Sequence, residues 1–227
     1  MTELYPPVIA IDGPSGTGKG TLAQKLAAEL HWHLLDSGAL YRVVAVGAAE
    51  RHISYEDTDR LCEFASSMNL AFSTLFPGSI VLEGREISDV VRLEDSGAKA
   101  SVVAAIPRLR SALMQRQHGF RQPPGLIADG RDMGTVVFPD ALLKIFLTAS
   151  AEVRAERRYK QLKNKGVDVN LRALLLDIRA RDERDSNRAV APLVPAHDAE
   201  VIETDELTAE QVYACVRQKV LTRLAEV

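Results

Sequence analysis

Ten residues, Asp12-Gly13-Pro14-Ser15-Gly16-Thr17-Gly18-Lys19-Gly20-Thr21, have the types and spacing of a phosphate-binding loop. Gly13 with Gly18-Lys19 fits the pattern G-x-x-x-x-G-K. Backbone N–H groups converge on an oxyanion only where side chains do not crowd the approach, hence the glycines. Lys19 adds a mobile ammonium for the outer phosphates. The chemistry expected is binding of a nucleotide's phosphates through Gly13, Pro14, Ser15, Gly16, Thr17, Gly18, Lys19, Gly20 and Thr21. The hydroxyl after the lysine comes one residue late, at Thr21, because Gly20 intervenes. Which hydroxyl approaches Mg²⁺ therefore stays open.

A phosphate loop says only that a nucleotide binds. A second anion site is suggested by the arginines at positions that should surround a sheet edge: Arg42, Arg110, Arg131, Arg158, Arg181, Arg184 and Arg188. Guanidinium forks suit phosphates, offering paired donors that stay charged. Arg181, Asp185 and Arg188 are spaced i, i+4, i+7, which on a helix shares one face. Two guanidiniums around a carboxylate would suit a sugar phosphate. A solvated helix with internal ion pairs has the same spacing.

The elements that must position these groups can be read from periodicity. Val8-Ile9-Ala10-Ile11 is an apolar strand before the glycine loop. Leu22, Leu26 and Leu30 recur every four residues after it, as on a helix. The unpaired N–H groups and positive end of that helix would face the phosphates. Trp32 to Leu35 reads as a short strand. Asp36-Ser37-Gly38 follows, with Ser37 or Gly38 able to cap the next helix. Residues from about 55 to 105 break the alternation: a helix over Glu56–Met68, then two strands, Leu70–Ser73 and Ile80–Glu83, flanking a Pro77-Gly78 turn. This is expected to be an inserted α+β lobe. Pro107 starts a helix bearing Arg108, Arg110 and Arg116.

Parallel-sheet grammar returns with Gly125–Asp129 and Leu143–Leu147. Between them, Gly130-Arg131-Asp132-Met133-Gly134 should form a loop at the carboxyl edge of the sheet, where ligands bind in open α/β folds. Ser150 should cap a basic helix with Arg154, Arg157, Arg158, Lys160 and Lys163. Asn170 should cap the next, and Ala199–Ile202 is a last strand. Thr208 with Gln211 forms a capping box. The expectation is a three-layer α/β/α P-loop NTPase fold on a five-stranded parallel sheet. It would be a single domain over 1–227 with a lobe at 55–105 and a lid arm at 154–180.

Composition excludes little but usefully. Hydrophobic residues make up 46% of 227, enough for a full core without disulfide or metal staples. Cys62 and Cys215 read as packed thiols. The net charge of −3 argues against a general nucleic-acid binder. No apolar span is long enough for a membrane, and no signal-peptide core is found at the N-terminus, so a cytoplasmic location is expected; no helix shows an extra apolar stripe, so a monomer is expected.

Several stretches together resemble a known family. The Gly-Lys-Gly-Thr ending of the glycine loop is similar to nucleoside monophosphate kinases. Gly13–Thr21, Asp36-Ser37-Gly38-Ala39-Leu40-Tyr41-Arg42, Asp129–Pro139 and Arg181–Leu193 resemble bacterial cytidylate kinase (CMP/dCMP kinase) in order and spacing. The middle hairpin is similar to that family's enlarged nucleotide-binding insert. The resemblance implies transfer of the ATP γ-phosphoryl to CMP or dCMP, with Mg²⁺ as cofactor. Ser37, Arg110 and Asp132 would contact the cytosine, and Ser101, Arg181 and Asp185 the ribose side. Arg42, Arg131 and Arg188 would hold the acceptor phosphate. A carboxylate such as Asp132 can accept from the cytosine N4 amino group, where uracil presents a carbonyl.

The nucleophile would be a phosphate-monoester oxygen, whose second pKa of about 6 leaves it ionised at neutral pH. No general base is needed, and none of the five histidines is given a catalytic role. Catalysis should come from Lys19, Arg131, Arg188 and, from the lid, Arg158, through positioning and charge neutralisation. Asp129 stands where an acid for the Mg²⁺ water shell would be, and Asp36 is a second candidate. Rival readings are a kinase for UMP or dephospho-coenzyme A, a slow nucleotide-hydrolysing switch, and an RNA-binding accessory.

Overall fold

The protein was analysed as a computed structural model, which describes residues 5–72 and 79–226. In chain order the elements begin β1 (Val8–Asp12), α1 (Lys19–Leu30), β2 (His33–Asp36), α2 (Ser37–Glu50) and α3 (Thr58–Ser67). There follow β3 (Leu70–Phe72), β4 (Ile80–Leu82), β5 (Arg85–Glu86), α4 (Ser88–Val91), α5 (Glu94–Val103) and α6 (Pro107–His118). The chain then forms β6 (Leu126–Gly130), a π-helical turn (Met133–Val137), β7 (Leu143–Thr148), α7 (Ala151–Asn164), α8 (Leu171–Ser186), β8 (Glu200–Glu203) and α9 (Ala209–Leu224).

Two compact units result. One comprises residues 1–36 and 118–227, the other Ser37–Gln117. The second is wider at both ends than the 55–105 stretch marked by its loss of strand–helix alternation.

The first unit is built on the parallel sheet, in the order β2-β6-β1-β7-β8. All five residues of β1 and of β6 are buried, as a central parallel strand covered on both faces requires. Ile9, Ile11, Ile127, Ile145 and Leu147 join Leu22 and Leu26 of α1 and Val212, Val216 and Val220 of α9 in one core. Register brings Asp12 beside Gly130 and Asp36 beside Asp129, so four polar or flexible residues gather at one end of the sheet. The expected caps form: Ser150 accepts from Val153 N, Asn170 from Ala173 N, and Thr208 and Gln211 close a reciprocal box.

The second unit has its own core, in which Leu40, Val43 and Val44 of α2 meet Leu61 and Phe64 of α3, Leu82, Val103, Leu109 and Leu113. β3 and β4 pair antiparallel, Leu70 opposite Leu82, as the hairpin pattern implies. The Pro77-Gly78 turn lies outside the described residues. A third strand, β5, pairs with β4; at two residues it is too short to show a periodicity.

Three local expectations are corrected. Ser37 does not cap α2: the helix begins at Ser37 directly after β2, and its hydroxyl donates to Gln117 Oε1 at 2.9 Å. The stretch after β6 is no open loop, because residues 133–137 wind into a π-helical turn. Arg188 is not on the helix of Arg181 and Asp185. α8 stops at Ser186, and Arg188 returns through its Nε, which donates to the Asp185 carbonyl at 3.2 Å.

Candidate active site

β1 delivers the chain into the glycine loop, and the loop is shaped by backbone that L-residues avoid. Gly13, Gly16 and Gly18 have φ of 141°, 85° and 95°. Gly13 has a second reason to lack a side chain, since a Cβ there would lie 2.0 Å from the Leu147 carbonyl oxygen of β7. Pro14 O accepts from Thr17 Oγ1 at 3.1 Å and from Lys19 Nζ at 2.7 Å, closing the loop on itself. Lys19 opens α1 and is buried, whereas Thr21 is exposed in the first turn. The result is an amide nest at a helix N-terminus, an anion-binding form.

Acidic and basic groups are packed around Lys19. Burial lowers the lysine's affinity for its proton and the charge of Arg131 lowers it further, while Asp129 opposes them. Burial pushes the Asp129 carboxyl up; Lys19 draws it down and Asp36 pushes it up again. Asp129 Oδ2 would lie 3.5 Å from a Cβ on Gly20, against the first turn of α1. Two carboxylates on adjacent strand ends beside a phosphate loop form a donor set suited to a hard divalent cation held through water.

The arginine set of the first unit converges. Arg131, just beyond β6, donates from Nε to Asp185 Oδ2 at 3.0 Å, and Arg181 Nε lies 4.0 Å from the same oxygen. Arg181 also donates from Nη1 to Ser15 Oγ at 3.3 Å, bringing α8 onto the phosphate loop. Burial raises the Asp185 carboxyl, but Arg131, Arg181 and Arg188 together outweigh it and hold it below the usual carboxylate range. Asp132 is buried at the mouth of the π-helical turn.

In the second unit, Arg42 Nη1 donates to the Val91 carbonyl at 3.0 Å, and Ser101 is buried on α5. Arg110 is buried, its Nη1 donating to the Ala104 carbonyl at 3.2 Å and its guanidinium 5.6 Å from the Tyr41 ring centroid. Of the basic helix α7, Arg158 donates to Gln161 Oε1 at 2.5 Å on the same helix.

Three residues with evident structural roles at the site were not singled out by sequence reasoning. Arg154 was read as one of the charges of an arm. It is buried, donating from Nη1 to Ser15 O at 3.1 Å and to Asp182 Oδ1 at 3.0 Å. Its stem packs where a Cβ on Gly16 would stand. Asp182, its partner on α8, carried no motif. Asp12 accepts from Met133 N and Gly134 N, both at 2.8 Å. A signal for Asp12 existed in its place at the strand end, but its partners lie more than 120 residues away.

The family model for cytidylate kinase matches residues 9–222. The chain belongs to the cytidylate kinase family. A cytidylate kinase of Pseudomonas entomophila is 57% identical over 220 residues, covering 96% of each chain. One of Azotobacter vinelandii is 55% identical, covering 97% of this chain and 98% of its own. One of Pseudomonas aeruginosa is 58% identical over 91% of each. As a member of the cytidylate kinase family, the chain is an ATP-dependent phosphotransferase that converts CMP or dCMP to the diphosphate.

Proposed function

We propose that the cytidylate kinase reaction is performed here by two anion-binding sets, one for each nucleotide. The glycine loop, Gly13 to Thr21, with Lys19, holds the triphosphate of ATP. Arg131, Arg188 and Arg42 hold the acceptor phosphate. Arg181, Asp185 and Ser101 take the ribose side; Asp132, Arg110 and Ser37 take the cytosine. The observation that carries this reading is the contact of Arg181 with Ser15, which draws the guanidinium cluster around Asp185 onto the phosphate loop.

The acceptor phosphate arrives as a dianion and needs no base. The barrier is mutual repulsion of two polyanions brought in line. Lys19 and the loop amides neutralise the donor while Arg131 and Arg188 anchor the acceptor, so attack is a matter of position and charge. Asp129 and Asp36, with the Thr21 hydroxyl, would hold Mg²⁺ through water. The cation would add Lewis-acid charge to the phosphoryl oxygens. Arg158 would act from a lid over residues 154–180, excluding the water that would otherwise take the phosphoryl group. The lobe at 55–105 would serve the monophosphate. The protein would work as a cytoplasmic monomer, without nucleic-acid or membrane partners.

A coupled ADP assay with a panel of acceptors tests this reading. Turnover should require CMP or dCMP, with UMP and AMP far poorer. Equal rates with UMP would remove Asp132 from its role. Turnover without an acceptor would favour a hydrolytic switch.

A further inference from the structure

The π-helical turn at 133–137 is capped by a residue that is not its own. Its carbonyl pattern uses the amides of Val136 and Val137, both bonded to Asp132 O, and of Phe138, bonded to Met133 O. The first two amides of the turn, Met133 and Gly134, have no acceptor inside it, as at any helix start. An aspartate at the N-cap normally supplies one. Asp132 holds that position and makes no such bond. Both amides go instead to Asp12, one to each carboxylate oxygen.

We propose that Asp12 is a positioning residue for base selection: by capping the turn from β1, it keeps the Asp132 carboxylate from capping its own turn. The proposal rests on the reading of Asp132 as the group that meets the cytosine amino. Asp12 suits the task. It is buried, at 5% exposure, and its carboxylate accepts two charge-assisted bonds from a rigid central strand. Neighbouring packing leaves the turn little freedom. A Cβ on Gly134 would meet Lys144 Cδ at 3.1 Å and Asp12 Oδ2 at 3.4 Å, and Lys144 is itself tied to Asp198 at 2.8 Å. Without Asp12, the Gly134 amide stands vacant at the second position of the turn, within an N-cap aspartate's habitual reach, and Asp132 has a reason to turn away from the base.

The test compares kcat/KM for CMP and for UMP in the wild type, Asp12→Asn and Asp132→Asn. In Asp12→Asn one acceptor becomes a donor facing an N–H, so the cap fails while the shape is kept. The CMP-to-UMP ratio should fall about tenfold or more, the scale of losing one buried recognition bond, with KM for ATP within about twofold. If CMP and UMP activities fall together and the ratio stands while Asp132→Asn lowers it, Asp12 is merely structural and the proposal is overturned. If neither variant changes the ratio, the reading of Asp132 fails and takes this proposal with it. Should Asp12→Asn not fold, Gly134→Ala crowds the same cap and keeps the carboxylate. A ratio lowered about threefold would support the proposal, and an unchanged ratio would overturn it.

Discussion

Arg131 Nε and Asp185 Oδ2 are 3.0 Å apart, although the two residues are 54 positions apart in the chain and on different elements. Asp185 is buried and Arg131 partly so, and Arg181 and Arg188 lend their charge to the same carboxylate. Removing a buried carboxylate leaves guanidiniums facing each other, and breaking such a pair costs about 3–5 kcal/mol. Asp185→Ala should therefore lower both stability and kcat/KM for CMP, while KM for ATP changes little. Thermal melts and initial rates against each substrate will show the split.

The same carboxylate predicts a pH effect. Its folded-state pKa lies below its ordinary value of 3.8. The native state thus binds fewer protons than the unfolded chain, so this group contributes stability that is whole above about pH 4 and fades as pH falls below it. Melting temperatures of the wild type should decline more steeply below pH 4 than those of Asp185→Asn. Parallel slopes would remove Asp185 from the acid transition.

Arg154 is a clamp on the phosphate loop. It joins Asp182 on α8 to the Ser15 carbonyl, so its loss should loosen the loop and leave the half-buried Asp182 carboxylate without its partner. We expect Arg154→Ala to cost about 1–3 kcal/mol in unfolding free energy and to raise KM for ATP more than KM for CMP. Arg154→Lys should restore little, because a single ammonium cannot bridge both partners. Denaturant melts with the two KM values measure this.

Lys19 stands at the head of α1 with its ammonium on the Pro14 carbonyl. Lys19→Ala should lower kcat by about 10² to 10³ fold, as for loss of one preorganised charge donor. Circular dichroism should remain native. Steady-state rates at saturating ATP and CMP provide the check.

Asp129→Asn should shift the Mg²⁺ concentration giving half-maximal rate upward by about tenfold, the range seen when a group orienting a metal is removed. Asp36→Asn, on the exposed edge strand β2, should shift it less, because that carboxylate is better solvated. Metal titrations of the three proteins at fixed ATP compare them.

How much could be read before folding depends on the range of each interaction. The glycine loop, its strand and its helix are contiguous, so alternation, glycine placement and Lys19 were legible together. The central strands β1 and β6 were legible as unbroken apolar runs, and α8 and α9 from their caps. Arg181 and Asp185 share a face by local geometry. Arg188 does not, because the helix stops at Ser186, and its return toward Asp185 follows from chain reversal rather than from spacing.

By itself, the sequence determined the phosphate loop, the five parallel strands and which residue types could bind two anions, since these follow from periodicities shorter than two helical turns. Only the tertiary structure decided that Arg154 is a buried clamp and that Arg131 meets Asp185. It alone made Asp12 the cap of a turn more than 120 residues away. Those pairings arise when β1 pairs with β6 and α7 packs on α8 beside the phosphate loop. Burial then makes each unpaired charge costly, and that cost selects partners no local pattern can name.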